Sequence, residues 1–120
     1  MLSFNSFGEE VFYCTTELST GFIKKNEVWE TSKFKPDRYT IKFNDDYSKL
    51  SGLQTFYHFC EQSRPWDESS PIVCSPVGGM ETFIFKKELK RFIYMSSTYQ
   101  GYIDDTNFTN HMEAGTCESF

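Results

Sequence analysis

Residues 81–95 read ETFIFKKELKRFIYM, and the fold turns on whether they form a helix or a hairpin. Phe85, Leu89, Phe92 and Ile93 fall on one face at the helical period. Taken as strands, Phe83 and Phe85 pair with Phe92 and Tyr94 across a turn at 87–90. Aromatic and β-branched residues dominate the stretch, and such side chains suit the pleated, half-buried surface of a sheet. The hairpin is therefore the preferred reading and the helix its alternative. The cations at the tip, Lys86, Lys87, Lys90 and Arg91, are the one basic cluster of the chain and read as a solvated turn.

The same period extends outward. In EVFYCTTEL, Val11 and Tyr13 lie on one side and Phe12 and Cys14 on the other, as in a strand. STGFIKKNEVWE reads as strand, polar turn, strand, with Lys25-Asn26 at the turn because Asn tolerates a left-handed backbone. Pro36-Asp37 marks another turn. RYTIKF is the clearest strand, with Tyr39, Ile41 and Phe43 pointing one way; Asn44, Asp45 and Asp46 end it. TFYHFC places Phe56, His58 and Cys60 on one face. Residues 61–76 carry Pro65, Pro71 and Pro76 and read as a loop holding the short strand IVC. Gly78-Gly79 is a joint, and YQGYIDD and HMEAGTCESF are strand-like. Seven to nine short strands at this spacing predict one all-β domain over residues 1–120, an antiparallel meander closed as a small barrel or sandwich, with room for one short helix.

Composition agrees. The 120 residues suit a single domain, and 13 Phe and 7 Tyr against one alanine, Ala114, favour strands over helices. The net charge is −5, with 12 basic residues outnumbered by 17 acidic ones; that balance argues against a nucleic-acid partner, whose phosphates demand clustered cations. No apolar run approaches the ~20 residues of a membrane helix. The opening MLSFNSFGEE has neither the basic start nor the apolar core of an export signal. The expected location is the periplasm or the exterior for a mature chain, and the cytoplasm if the sequence is the full gene product.

Four cysteines, Cys14, Cys60, Cys74 and Cys117, permit three pairings. The favoured set is Cys60–Cys74, which closes the EQSRPWDESSPIV loop, with Cys14–Cys117, which ties the chain ends. Structural zinc usually takes close pairs such as Cys-x-x-Cys, absent here, and His58 and His111 lie far apart. A cytosolic setting would instead leave free thiols.

The landmarks CTTELSTGF, VWETSKFKPDRYTIKF, FYHFC, VCSP, TFIFKKELKRFIY, GYIDD and EAGTC, in that order, resemble a group of small bacterial exported proteins with no established activity. The group shares a Cys near the mature start, a Thr-Gly-Phe turn, a Trp, a Phe-Lys step, a central Cys pair and a Gly-x-Cys near the end. The likeness covers most of the chain. It implies an exported protein with two disulfides and brings no catalytic residues. In layout alone, the meander also looks like the small barrel-shaped lysozyme inhibitors of the bacterial periplasm.

No Gly-x-Ser-x-Gly elbow, phosphate loop or His-Glu-x-x-His motif is present, and no catalytic residue, cofactor or metal is assigned. His58, between Tyr57 and Phe59 in a strand, reads as a partly buried structural histidine, and His111 as a surface one. The adjacent acids Glu9-Glu10, Asp45-Asp46, Asp67-Glu68 and Asp104-Asp105 read as solvated, since neighbours on a strand face opposite sides. DDTN lacks the glycine and distant Glu of a calcium loop.

The stretch with the most functional content is EQSRPWDESS. Trp and Arg dominate binding hot spots, and a crosslinked loop loses less entropy on docking. Arg64, Trp66, Asp67 and Glu68 are the candidate partner-binding residues; the structural alternative folds Trp66 back over the barrel end. Trp29 reads as core or barrel rim. The leading expectation is a non-catalytic β-domain that binds a protein partner as an inhibitor. One alternative is a phage-encoded acidic inhibitor of a bacterial defence complex acting in the cytosol. Another is a small hydrolase using His58, which requires His58 to open into a cleft beside a carboxylate. A third is a barrel carrying an apolar ligand in an internal cavity.

Overall fold

One antiparallel sheet curls round until its first and last strands meet. The computed structural model describes residues 8–97, 101–107 and 109–119. Among them run β1 (Glu10–Lys25), β2 (Val28–Ser32), β3 (Arg38–Phe43), β4 (Lys49–Ser51), β5 (His58–Gln62), β6 (Ile72–Ser75), β7 (Glu81–Lys86), β8 (Arg91–Ser96) and β9 (Asn110–Ser119). The strand order is β2-β1-β3-β4-β5-β6-β7-β8-β9, and β1 also pairs with β9. Eight strands therefore close a barrel, and β2 extends it. Closure pairs the ladder edges that would otherwise recruit other chains. The described residues contain no helix.

Residues 81–95 form the hairpin. Phe83 stands opposite Tyr94 and Phe85 opposite Phe92, and all four are buried. The helical alternative grouped Phe85 and Phe92 with Leu89 and Ile93, yet the latter two are exposed, one at the tip and one on the outer face. The barrel interior belongs to phenylalanine: Phe43 stacks on Phe85 at 5.4 Å, Phe83 on Phe92 at 5.4 Å, and Phe12 meets Phe85 edge-on at 5.0 Å. Full burial of each such ring contributes about 1.5–3 kcal/mol.

β1 organises the closure. β9 follows one of its edges, while the other is shared, with β3 pairing along Glu10 to Thr15 and β2 along Gly21 to Lys25. Between them, residues 33–37 stay close to β1: Thr16 N donates to Asp37 O at 2.9 Å, and Phe34 N to Ser19 Oγ at 3.1 Å. Pro36 has no N–H to give, so the ladder lapses here. The β1–β9 register shifts between Thr16 and Leu18, making Glu17 the extra residue of a bulge.

Several local expectations move. The β1–β2 turn centres on Asn26 and Glu27, with φ of 52° and 65°, because Lys25 still pairs with Val28; this is the backbone of a type I′ hairpin turn. Gly21 lies within β1, not in a turn. A Cβ there would sit 2.0 Å from Asn110 O, so the glycine serves a close backbone approach. Phe56 precedes β5 and is exposed, so it does not share the inner face with His58 and Cys60. Of YQGYIDD, Tyr99 and Gln100 lie outside the described residues, and 101–105 form turns, not a strand. Phe120 likewise lies outside them.

Both disulfides form as favoured. Cys14–Cys117 crosses the β1–β9 seam and Cys60–Cys74 joins β5 to β6. In each case the register places the two cysteines directly opposite.

Candidate functional site

The β5–β6 connection is built to hold its shape. Arg64-Pro65-Trp66-Asp67 is a β-turn closed by Asp67 N donating to Arg64 O at 2.9 Å. Pro65 occupies the second turn position, where its fixed φ is already suitable. A second turn follows at once, with Ser70 N donating to Asp67 O at 3.0 Å. The Asp67 carboxylate accepts from Ser69 N at 3.0 Å and Ser69 Oγ at 2.6 Å, and pairs with Arg64 Nη2 at 3.1 Å. Those two bonds from Ser69, then the one from Arg64, lower the Asp67 pKa to about 2. The buried Ser70 hydroxyl donates to Asp67 O at 2.7 Å, and Gln62 Nε2 reaches Glu68 O and Ser70 O at 3.1 and 2.9 Å. Lys86 Nζ donates to Ser69 O from the neighbouring strand. The Cys60–Cys74 bridge anchors the base.

Trp66 sits at the third position of the first turn and is 81% exposed. It does not fold back over the barrel end. Arg64 and Glu68 are exposed and Asp67 is half-buried. The four residues picked from sequence thus share one short, braced loop, with Arg64 and Asp67 paired to each other.

A second polar grouping lies inside the barrel, and sequence reading missed most of it. Glu113 is 1% exposed. Thr16 Oγ1 donates to its Oε1 at 2.5 Å, Tyr39 OH to its Oε2 at 2.6 Å, and His111 Nε2 lies 3.0 Å from Oε2. Burial pushes this carboxyl up, but the bonds from His111, Thr16 and Tyr39 together outweigh it and hold it below its ordinary value. His111 is consequently a partner of a buried acid and not a free surface group. The Tyr39 hydroxyl is driven well above the usual phenol range by burial, then by Glu113. Tyr94 is raised the same way by burial and by its bond to Glu81. Their rings meet edge-to-face at 5.7 Å.

His58 completes this interior. Its Nε2 is 3.3 Å from Glu81 Oε2, although the angles do not make a hydrogen bond and neither ring nitrogen has a partner of that kind. Phe56 stacks over the imidazole at 5.6 Å. A carboxylate is within reach, as a hydrolase would need, but His58 is 0% exposed and does not open into a cleft. The only sign of this grouping in sequence is the inward parity of Tyr39, Tyr94 and Glu113 on their strands.

Trp29 belongs to the β1–β2 extension. Its Nε1 donates to Asp105 Oδ1 at 2.9 Å, and Lys24 pairs with the same oxygen at 3.1 Å. The DDTN acid is thus engaged in holding the 101–107 turn onto the extension. Grooves of about 570 and 530 Å³ lie on the outer wall of the barrel and share Glu17, Leu18, Ile93 and Ala114. No helix among the described residues is long and apolar enough to cross a membrane. No family model, curated protein or solved structure matches the chain.

Proposed function

We propose that this domain is a protein-binding module whose docking element is the 63–71 loop, with Trp66 as anchor and Arg64, Asp67 and Glu68 as its polar surround. The observation that carries the reading is the 81% exposure of Trp66 on a doubly turned, disulfide-anchored loop. Leaving a large indole in water costs apolar burial, and bracing its loop in advance removes much of the ordering cost of docking. A folded Trp66→Ala, Arg64→Ala double variant is expected to lose capture of the partner from bacterial lysate. Undiminished capture would sink the proposal.

The reading includes inhibition as the consequence of docking and an exported setting. Two disulfides support an oxidising compartment. The alternative, an acidic inhibitor of a defence complex inside the cytosol, needs the same cysteines reduced. Alkylation of the protein in intact cells separates the two: blocked thiols support export, and full labelling supports the cytosol.

A further inference from the structure

Side chains directly opposite across strands line up on the outer wall. Leu18 faces Ala114, Ala114 faces Ile93, Ile93 faces Ile84 and Ile84 faces Val73. The five make one apolar row across β1, β9, β8, β7 and β6. Leu18 is 71% and Ile93 40% exposed, and the two outer grooves meet along this row. On the side toward the Trp66 loop, the next outward positions are Arg91 on β8 and Lys86 on β7, opposite each other in the ladder. Pro71 of the loop closes that end of the groove. The far groove ends at Phe34 with Lys33 beside it.

The charges are unevenly placed. The whole chain carries −5, yet the β7–β8 flank of this row is basic, while Glu61 stands opposite Val73 at its β6 end. The carboxylate at its β1 end, Glu17, is held by Thr116 Oγ1 at 3.0 Å. Lys86 is shared with Ser69 O and Glu88, while Arg91 is exposed. Two copies stacked with their strands parallel would bring Lys86 and Arg91 of each together, which disfavours that arrangement. An apolar floor beside cations instead matches a segment with apolar side chains on one line and carboxylates on its flank.

We propose that this row is a docking groove for a protein segment of that chemistry, acidic and apolar, continuous with the Trp66 loop. It rests on the protein-binding reading for the class of partner; its apolar row and Arg91 are separate from the loop, while Lys86, bonded to Ser69 O, and Pro71 join the two. The test is selection of a random peptide library displayed on phage against the oxidised protein, followed by anisotropy titration of the enriched peptide. Enriched peptides are expected to combine Leu, Ile or Phe with Asp or Glu. Leu18→Ser with Ile93→Ser, both at exposed positions, should weaken binding by about tenfold or more. Lys86→Glu with Arg91→Glu should do likewise, and replacing the peptide's acids by Lys should restore binding to that variant. Lys49→Ala, at an exposed position on β4 and four strands from β8, should leave the isolated peptide's affinity unchanged.

No enrichment, peptides without acids, or affinity indifferent to Leu18 and Ile93 would overturn the groove. Loss with Trp66→Ala alone would overturn the groove and uphold the loop. Loss with the groove variants, alongside lysate capture unaffected by Trp66→Ala and Arg64→Ala, would uphold the groove and remove the loop. Concentration-dependent dimerisation in sedimentation, abolished by Ile93→Ser, would assign the row to a second copy and overturn the acidic partner.

Discussion

Cys14 and Cys117 stand directly opposite each other across the β1–β9 seam, 103 residues apart in the chain. The bond is therefore at once a local cross-strand link and the fastening of the whole barrel. Chain-entropy arguments give about 4.7 kcal/mol for closing a loop of this size and about 3 kcal/mol for a loop near that of Cys60–Cys74. The Cys14→Ser, Cys117→Ser variant is expected to lose more stability in urea than the Cys60→Ser, Cys74→Ser variant. The reverse order would show that the short bridge, not the seam, limits unfolding. Intact mass with and without reductant gives an independent check on both bonds.

Glu113 makes stability depend on acid. Its folded pKa is depressed, so its contribution is present above the unfolded value, about 4.3, and is lost as pH falls through the folded one. Denaturant unfolding between pH 7 and pH 3 should show stability falling below about pH 4.3. Glu113→Gln should be less stable at pH 7, by about 2 kcal/mol, with a flatter acid profile. An unchanged profile would remove Glu113 as the source.

Gly115, like Gly21, lies where β9 and β1 approach closely. A Cβ there would lie 2.0 Å from Thr15 O and 2.8 Å from the Phe92 ring, both parts of the closed wall. Gly115→Ala is expected to cost about 1–3 kcal/mol by overpacking, read as a lowered melting temperature. A neutral result would mean the seam yields more than its disulfide suggests.

The two histidines should differ in reactivity. The His58 side chain is 0% exposed and that of His111 24%. Treating the native protein with diethylpyrocarbonate should modify His111 first, with His58 reacting only after unfolding. Early modification at His58 would reveal an opening beside Glu81 and revive hydrolysis as a reading.

Much of this architecture was legible in the chain. The strict alternation around Phe12 and Cys14, and the Tyr39, Ile41, Phe43 series, announced strands with one buried face. In the 81–95 stretch the aromatic and β-branched content favoured the hairpin over the helix, and the cross-strand pairing of Phe83 with Tyr94 decided it. The EQSRPWDESS loop was legible too, because Pro65 and Asp67 encode turns through their own φ and side-chain bonds. Such signals act within a few residues, so no neighbour is needed to interpret them.

What the sequence by itself determined was thus the class of element, the direction each side chain takes from its strand and the turn chemistry of the Trp66 loop. Only the tertiary structure decided that β1 would serve three partners, that Glu113 would meet Thr16 and Tyr39, and that Leu18, Ala114, Ile93, Ile84 and Val73 would form one row. The physical reason is register. Alternation tells a residue which face it occupies, but its neighbour across the ladder depends on how far each strand slides before the barrel closes.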